Sequence, residues 1–382
     1  MKKIAIVVAS EMTVKAFMRE HIAALAQRYS LTIIVNTEDP QFLDKLGIGA
    51  QLIGVPIARK ISPFADLRAL LRLGRILRNG KFDLVHSVTP KAGLIAAIAG
   101  HLAGVPRRLH TFTGQVWVTR HGAMRAMLKA ADRLIARLST HVLVDSFSQR
   151  DFLVAQGIVS LTKTSVLGQG SISGVNTARF RPDREARQRL RKGLGINEGE
   201  TLFLFLGRLK RDKGVLDLAR AFAASGARRP DTHLLLVGPD EENLGGQARE
   251  LAGDCASRLH CSGYTDSPED FYASADVFCL PSYREGFGSA VLEAAAAGLP
   301  SIGSRIYGIT DAIVEGRTGL LFEPGNFLEL ADKMNSLASD PGLRARMGTQ
   351  ARKRALRDFP ASVLTAALLD FYDRLLQVRN VS

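Results

Sequence analysis

Residues 276–304 read DVFCLPSYREGFGSAVLEAAAAGLPSIGS, and this stretch predicts a strand, a loop, a helix and a second strand in that order. DVFCLP and PSIGS are short apolar runs bounded by Pro and Gly, which is typical of buried strands. Between them, an alanine-rich run predicts a helix with Ser289 as its N-cap and Gly298 at its end. A strand, helix and strand in succession indicate parallel strands of an α/β sheet.

The same alternation of strand and helix patterns runs along the whole chain. In the first half, the predicted strands are KIAIVVA, LTIIVN, GAQLIGVP, FDLVHSV, RRLHTF and HVLVDS, and in the second half they are TLFLFLG, HLLLVG, RLHCSG, DVFCLP and PSIGS. Continuous apolar strands separated by helices predict sheets covered on both faces. We therefore expect an α/β protein with two doubly wound, Rossmann-like domains facing a cleft: residues 1–168, a connector at 169–183, and residues 184–360, with a last helix at about 361–382 that packs back on the first domain.

The composition is that of an ordinary soluble globular protein, with 382 residues, 46% hydrophobic and 23% charged. Cys255, Cys261 and Cys279 show neither CxxC spacing nor the density of a disulfide framework, so they are expected to be structural thiols in a reducing compartment. The start MKKIAIVVAS favours a first strand over a signal peptide. No apolar run reaches the roughly 20 residues of a membrane span, and a cytoplasmic protein is expected.

Positive charge is concentrated in the first half of the chain. Residues 1–168 contain 23 Lys and Arg against 10 Asp and Glu, a net +13, whereas the remaining 28 and 27 give +1. Residues 59–81 alternate seven basic side chains with leucines at helical spacing, as in helices that lie on anionic membranes. Two alternatives stay open: ordinary amphipathic helices with solvated arginines, and nucleic-acid binding, although no nucleic-acid-binding motif occurs.

Two motifs in the second half suit a nucleotide. FLFLGRLKRDKG places Gly207, Arg208 and Lys213 just beyond a strand, where a guanidinium fork and an ammonium group can hold a diphosphate. Glu285 lies in a Gly-Phe-Gly loop before the alanine-rich helix, and Glu293 lies within that helix, where it can accept hydrogen bonds from two ribose hydroxyls. The alternatives are a solvated basic loop and two unrelated surface glutamates.

These residues resemble a known family. Glu285 and Glu293 match the E-x7-E element, and GRLKRDKG the Arg/Lys element, of the retaining glycosyltransferases of family four, which have the GT-B fold. ADVFCLPSYREGFG, GRTGLLFEPGN and GVNTARF match in order, and DLVHSVTPKAG at residues 83–93 is similar to the branch that builds bacterial capsule, O-antigen and glycan repeat units. The resemblance implies transfer of a sugar, an N-acetylhexosamine or a deoxy derivative, from a UDP-sugar to a polyprenyl-diphosphate-linked acceptor at the inner membrane face.

Roles follow from the resemblance position by position. Arg208 and Lys213 are expected at the donor diphosphate and Glu285 at the donor sugar, and these three are the expected catalytic residues. Glu293 is expected at the ribose. The rest of the expected donor-binding set is Gly207, Tyr264, Gly286, Phe287, Gly288 and Ser289, with the backbone of GFGS holding phosphate or sugar oxygens. No DxD motif occurs in the chain, which fits a family that uses cations and helix amides instead of a metal ion. We therefore expect no cofactor and no metal.

The acceptor residues are less sharply defined by sequence. Relatives often carry a His in TxHG, but here HTFTGQVW aligns Thr113 with that His, and His110 is the alternative. Gln115 and Trp117 are further candidate contacts. His86, at the expected end of a strand, and Lys91, at a helix start, are expected to contact acceptor or sugar.

The resemblance implies a front-side displacement with retained anomeric configuration, in which the donor β-phosphate takes the acceptor proton. Three alternatives remain: a UDP-sugar epimerase of the same fold, a nucleotide-sugar-binding module without turnover, and an enzyme with a soluble acceptor.

Overall fold

Thirteen parallel strands form two separate sheets in this computed structural model, which describes residues 1–58, 62–227 and 229–377. Contacts divide the chain into two units. One contains Met1–Ser173 together with the chain from Ala361 onward, and the other contains Gly174–Pro360. The division at Ser173 falls within the connector expected at 169–183. The expected α/β fold with two doubly wound, Rossmann-like sheets is confirmed.

The first unit has a seven-stranded sheet in the order β3-β2-β1-β4-β5-β6-β7. Its strands are β1 Lys3–Val8, β2 Ser30–Val35, β3 Gln51–Gly54, β4 Leu84–Val88, β5 Arg107–Phe112, β6 His141–Val144 and β7 Thr164–Val166. Its helices are α1 Glu11–Thr13, α2 Arg19–Arg28, α3 Pro63–Gly80, α4 Pro90–Leu102, α5 Gly122–Leu138 and α6 Phe147–Ala155, with a π-helical turn at Val14–Met18.

Both faces of this sheet are buried, because successive side chains of a strand point to opposite sides. On β1, Ile4 and Ile6 join one apolar cluster with α2, whereas Ala5 and Val7 join another with α3 and α4. Alternation of this kind explains why the strand sequence is apolar throughout.

The last helix of the chain, α15 at Ala361–Gln377, belongs to the first unit and packs beside α2. Leu368 and Tyr372 are buried in the same cluster as β1. Polar contacts anchor the helix as well: His21 Nδ1 lies 2.8 Å from Thr365 Oγ1, and Tyr29 donates a hydrogen bond to Asp373. The final residues of the stretch expected at 361–382 lie outside the described residues.

The second unit has a six-stranded sheet in the order β10-β9-β8-β11-β12-β13. Its strands are β8 Thr201–Leu206, β9 Thr232–Val237, β10 Leu259–Ser262, β11 Val277–Leu280, β12 Ser301–Ser304 and β13 Gly319–Phe322. Its helices are α7 Arg184–Leu194, α8 Val215–Gly226, α9 Leu244–Ala252, α10 Pro268–Ser274, α11 Ser289–Ala296, α12 Ile309–Ala312, α13 Phe327–Ser339 and α14 Pro341–Asp358.

The strand order of the second sheet identifies its ligand-binding edge. The chain runs outward from β8 through β9 to β10, then returns to place β11 on the other side of β8. Ligands of doubly wound sheets bind beyond the carboxyl ends of the strands where the order reverses. The loops after β8 and β11 therefore form the expected ligand edge of this unit.

Details of the sequence-based expectations need correction. Strands β7 and β13, of three and four residues, were not predicted. His86 does not end its strand, because β4 continues to Val88. The N-cap of α11 is Gly288, at a φ of 80°, and not Ser289, which is the first residue of the helix.

Helix α14 generates a stability prediction. A Cβ added to Gly348 would lie 2.1 Å from the carbonyl oxygen of Gly298, so Gly348→Ala forces the helix away from the chain that follows α11. We expect Gly348→Ala to lower the free energy of unfolding by about 1–3 kcal/mol in urea denaturation.

Gly193→Ala is the matched control. Gly193 lies within α7 with no atom within 4 Å of the added Cβ, and we expect a gain of up to about 1 kcal/mol from helix propensity. Equal changes in the two variants would show that the contact with Gly298 does not restrict α14.

Candidate active site

A backbone contact joins the two loops at the ligand edge of the second sheet. After β8, Arg211–Lys213 form a single 3₁₀ turn that ends at Gly214, whose φ is 70°. A Cβ at Gly214 would lie 2.0 Å from the carbonyl oxygen of Pro281, directly after β11. Only glycine permits this approach, and it brings Lys213 to the loop that carries Glu285.

Lys213 and Glu285 form the central ion pair of this edge. Lys213 Nζ lies 2.5 Å from Glu285 Oε1, and the Ser282 hydroxyl donates to the same oxygen at 2.8 Å. The two side chains are only 19% and 14% exposed. Two of the three residues expected to be catalytic are therefore in direct contact.

Arg208 is the third expected catalytic residue and lies between the end of β8 and the 3₁₀ turn. Its Nη1 atom is 3.5 Å from Glu241 Oε2, and Lys210 Nζ is 3.0 Å from the same oxygen. Gly207 precedes Arg208 and packs closely, because a Cβ at Gly238 would lie 2.0 Å from the Gly207 carbonyl oxygen. The loop after β8 thus presents cations beside a carboxylate from the loop after β9.

The Gly-Phe-Gly loop is held by packing on both sides. Phe287 is 2% exposed, and its ring lies against Phe359 with centroids 5.4 Å apart. A Cβ at Gly308 would lie 2.3 Å from the Gly286 carbonyl oxygen. The buried Phe287 side chain is therefore not available to a ligand, and the expectation that the backbone of Gly286–Ser289 holds phosphate or sugar oxygens stays a prediction.

Glu293 lies on α11, one turn beyond that loop. Tyr272 donates a hydrogen bond to Glu293 Oε2 at 2.8 Å. Burial raises the pKa of Glu293 to about 7, although the Tyr272 hydrogen bond and the Arg179 charge act in the opposite direction. A carboxylate in this setting is costly by itself, so a polar ligand at this position would compensate for its burial.

Tyr264 lies outside the two loops that carry Lys213 and Glu285. It follows the edge strand β10, two strands away from β8, and its side chain is 67% exposed. Its hydroxyl donates to Asp266 Oδ1 at 2.9 Å. An exposed ring can stack on a base, but its assignment to the donor site stays a prediction.

Both expected histidines of the first unit are buried inside the sheet. His86 is 1% exposed, with Nδ1 2.5 Å from the Tyr372 hydroxyl of α15 and Nε2 2.7 Å from Thr111 Oγ1. His110 is fully buried on β5, with Nδ1 2.9 Å from Ser87 Oγ. Burial lowers both pKa values to about 3, so both rings are neutral at pH 7. The two contacts of His86 give it a structural role that joins the sheet to α15.

His86 also borders a small cavity of about 20 Å³, which is enough for one water molecule. Thr111 and Asp145 are among the other residues that line it. Burial raises the pKa of Asp145 to about 8. A neutral carboxylic acid here can donate a hydrogen bond inside the unit.

The loop after β5 is held by side-chain amides. Gln115 Nε2 and Gln149 Nε2 both donate to the Thr113 carbonyl oxygen, at 2.7 and 2.8 Å. Gln115 is 1% exposed and thus shapes this loop from within. Trp117 is equally buried, with its indole N–H donating to Asp132 at 2.7 Å, so the expectation that it contacts an acceptor is wrong in this structure.

Lys91 lies in the first turn of α4, as expected, and its Nζ is 2.7 Å from Asp66 Oδ1 of α3. Thr89, directly before this helix, has a φ of 76°, which is strained for a residue with a Cβ. Strained backbone at the carboxyl edge of a sheet is common near binding sites.

Three contributors to the second-unit site were missed by sequence reasoning. Ser282 lies within the quoted motif, three residues before Glu285, and its spacing was a usable signal. Tyr272 and Glu241 are brought to Glu293 and Arg208 only by the fold. No local pattern distinguishes them from other Tyr and Glu residues.

Comparison with known proteins agrees with this architecture. Residues 13–170 match the Glycosyl transferase 4-like domain, and residues 186–354 match Glycosyl transferases group 1. The crystal structure of Anabaena Alr3699/HepE in complex with UDP and glucose superposes with a TM-score of 0.80 at 18% identity, over 98% of this chain and 100% of that one. The fold class is therefore GT-B. The chain belongs to the group 1 glycosyltransferases of family four, as the sequence motifs indicated.

Curated relatives cover most of the chain. It is 29% identical to the capsular polysaccharide biosynthesis glycosyltransferase CapM of Staphylococcus aureus, over 85% of each chain. It is 26% identical to the UDP-Gal:alpha-D-GlcNAc-diphosphoundecaprenol alpha-1,3-galactosyltransferase of Escherichia coli, over 91% of this chain and 89% of that one. A D-inositol 3-phosphate glycosyltransferase of Streptomyces avermitilis is 30% identical, over 79% and 68%.

The buried carboxylate of Glu293 generates a pH-dependent prediction. Its pKa is 4.5 in an unfolded chain and about 7 in the folded protein, so its stability contribution is full below pH 4.5 and is lost as the pH rises through 7. We expect Glu293→Gln, which keeps an acceptor for Tyr272, to raise the free energy of unfolding by about 2–3 kcal/mol at pH 8 and by almost nothing at pH 4.5.

Thermal unfolding at the two pH values measures this difference. Glu285→Gln is the control, because the Glu285 carboxylate is paired with Lys213 and its removal brings no gain at pH 8. A gain of the same size at both pH values would contradict the assignment of the effect to ionisation of Glu293.

Proposed function

We propose that this protein transfers a sugar, an N-acetylhexosamine or a deoxy derivative, from a UDP-sugar to a polyprenyl-diphosphate-linked acceptor. The product would serve bacterial surface polysaccharide or glycan synthesis. The observation that carries the proposal is the Lys213–Glu285 pair, 2.5 Å apart at the reversal point of the second sheet. A cation suited to a diphosphate beside a carboxylate suited to sugar hydroxyls supports the proposal.

The donor would bind along the carboxyl edge of the second unit. Arg208 and Lys213 would hold the diphosphate, assisted by the backbone amides at the start of α11. Glu285 would accept hydrogen bonds from sugar hydroxyls, and Glu293 from the ribose. The Escherichia coli relative, whose name specifies UDP-Gal as donor, supports this assignment.

The reaction would proceed with retention and without a metal ion. The acceptor oxygen forms its bond to the anomeric carbon on the side of the leaving group, the bond from that carbon to the phosphate oxygen breaks, and the acceptor proton passes to the β-phosphate. Arg208, Lys213 and the α11 N-terminus would stabilise the charge of the departing UDP. The chemistry then depends on positioning rather than on an enzymatic nucleophile.

A lipid-linked acceptor is supported by the relatives and by the first unit. The Escherichia coli relative is named for a diphosphoundecaprenol acceptor. No helix among the described residues is long and apolar enough to cross a membrane. We propose that the protein binds the cytoplasmic membrane face peripherally, through the first unit.

Helix α3 is the strongest candidate for that membrane surface. Phe64 is 91% exposed, and Leu67 and Leu71 follow at helical spacing with more than half of their surface exposed. The basic residues of the helix are Arg68, Arg72, Arg75 and Arg78. Of the basic stretch at 59–81, Arg59, Lys60 and Ile61 lie outside the described residues. Exposed apolar side chains between arginines suit an anionic lipid interface.

The donor assignment is tested by UDP release from a panel of UDP-sugars, with and without a membrane extract that contains lipid-linked saccharides. We expect release with one sugar, only with the lipid fraction, and unchanged by EDTA. Lys213→Ala should lower the rate about 100-fold or more, because a preorganised charge at the leaving group is lost.

Lys192→Ala is the control, since Lys192 is an exposed lysine of α7. Lipid-independent transfer to a soluble acceptor such as D-inositol 3-phosphate would reject the polyprenyl acceptor while preserving the donor site. Loss of activity in EDTA, restored by a divalent cation, would reject the metal-free mechanism.

The membrane assignment is tested by sedimentation with vesicles of anionic or neutral lipid. Replacing Phe64, Leu67 and Leu71 together by Ser should weaken binding to anionic vesicles about tenfold or more, because their insertion is lost. Binding should also fall as salt rises. Leu328→Ser, at an exposed leucine of the second unit, is the control. Equal binding to neutral and anionic vesicles would contradict a role for the arginines.

A further inference from the structure

The cations of the donor site are already paired with carboxylates of the same unit. Besides Lys213 with Glu285, the single oxygen Glu241 Oε2 lies 3.5 Å from Arg208 Nη1 and 3.0 Å from Lys210 Nζ. One anionic oxygen between a guanidinium and an ammonium group is the arrangement that a phosphate oxygen adopts with such cations.

The backbone holds both sides of this contact in place. The Leu209 amide donates to the Pro239 carbonyl oxygen at 2.9 Å, so the chains that follow β8 and β9 run side by side. Asp240 caps α9 by accepting from Leu244 N at 2.8 Å and Gly245 N at 2.9 Å. Glu241 lies between these fixed points, and its side chain is 30% exposed. The carboxylate can therefore leave the cations by side-chain rotation alone.

We propose that Glu241 is a displaceable counter-ion of the donor site, which occupies the place of a phosphate oxygen at Arg208 and sets how tightly UDP is held. The inference rests on the proposed function, because it takes Arg208 as a diphosphate contact. The donor diphosphate must displace the Glu241 carboxylate from Arg208 and Lys210. The carboxylate pairs with these two cations again when UDP leaves.

Electrostatic interactions within this cluster predict that Glu241 weakens UDP binding. Without a nearby anion, Arg208 and Lys210 repel each other, and an incoming diphosphate relieves that repulsion. Glu241 already relieves the repulsion between Arg208 and Lys210 before UDP binds, so the diphosphate gains less free energy on binding. The displaced Glu241 carboxylate also stays close to the diphosphate and repels it. Weaker retention of UDP favours product release after transfer.

A purely structural role for Glu241 predicts the opposite result. If the carboxylate serves to orient Arg208 for the donor, its neutralisation disorders the guanidinium and weakens UDP binding. The sign of the change in affinity therefore distinguishes a competitor from a positioning residue.

Calorimetric titration of the purified full-length protein with UDP and with uridine provides the test. We expect Glu241→Gln to lower the Kd for UDP about three- to tenfold, the effect of removing one like charge from a partly exposed cluster. The Kd for uridine should not change, since uridine carries no diphosphate. The gain with UDP should shrink at high salt.

Glu242→Gln is the matched control. Glu242 Oε1 lies 3.8 Å from Lys210 Nζ, and Glu242 accepts a hydrogen bond from the Arg211 amide at 3.2 Å, so the variant removes a neighbouring charge of the same loop. We expect less than about a twofold change in UDP affinity, because a more distant exposed pair contributes little.

Arg208→Ala tests the donor site separately from the counter-ion role of Glu241. If it leaves UDP binding unchanged, the proposed donor site is wrong and the inference about Glu241 fails with it. If Arg208→Ala weakens UDP binding while Glu241→Gln weakens it or leaves it unchanged, the donor site stands and the counter-ion role is rejected. Equal gains with UDP and uridine would also reject that role, because the effect would not involve the diphosphate.

Discussion

The contact between Gly214 and the Pro281 carbonyl oxygen is the constraint on which the second-unit site depends. A Cβ at Gly214 would lie 2.0 Å from that oxygen, so the loops after β8 and β11 meet backbone to backbone. Lys213 precedes the glycine and Glu285 follows the proline by four residues, and their pairing is a consequence of this approach. The reversal of strand order between β8 and β11 supplies the space, and the glycine determines how closely the loops approach.

The charged groups at this edge lower the stability of the folded protein. Glu293 has its pKa raised to about 7 by burial, and a buried carboxylate with this shift lowers stability at neutral pH. Natural proteins retain such groups where binding or catalysis needs them. The mutual pairing of Lys213 with Glu285 and of Arg208 with Glu241 partly offsets the concentration of charge. Ionised groups of opposite sign are thus brought together at this edge.

Much of this organisation could be predicted from the sequence, because it rests on local patterns. Continuous apolar strands between helices identified eleven of the thirteen strands. Strand β7 has three residues and a single apolar side chain, so it gives no strand pattern, whereas β13 is no shorter than several predicted strands and was overlooked. Glu285, Lys213 and Arg208 were found since each lies in a motif with fixed spacing. Tyr272 and Glu241 could not be found, because they reach the site from helix α10 and from the loop after β9. His86 was misplaced because a strand sequence does not show which side chains another element will cover, and the partner that buries it, Tyr372, is 286 residues away.

The return of the chain to its first unit through α15 has a consequence for synthesis. The cluster that contains Ile4 and Ile6 is completed by Leu368 and Tyr372, so the unit begun first on the ribosome is finished last. A nascent chain that ends near Pro360 contains the whole second unit, whereas the sheet of the first unit still exposes the apolar face that α15 covers. Domains generally fold as units while the chain emerges. The second unit can therefore reach its native state before the first, and the nascent protein must protect an open apolar surface until α15 has left the ribosome.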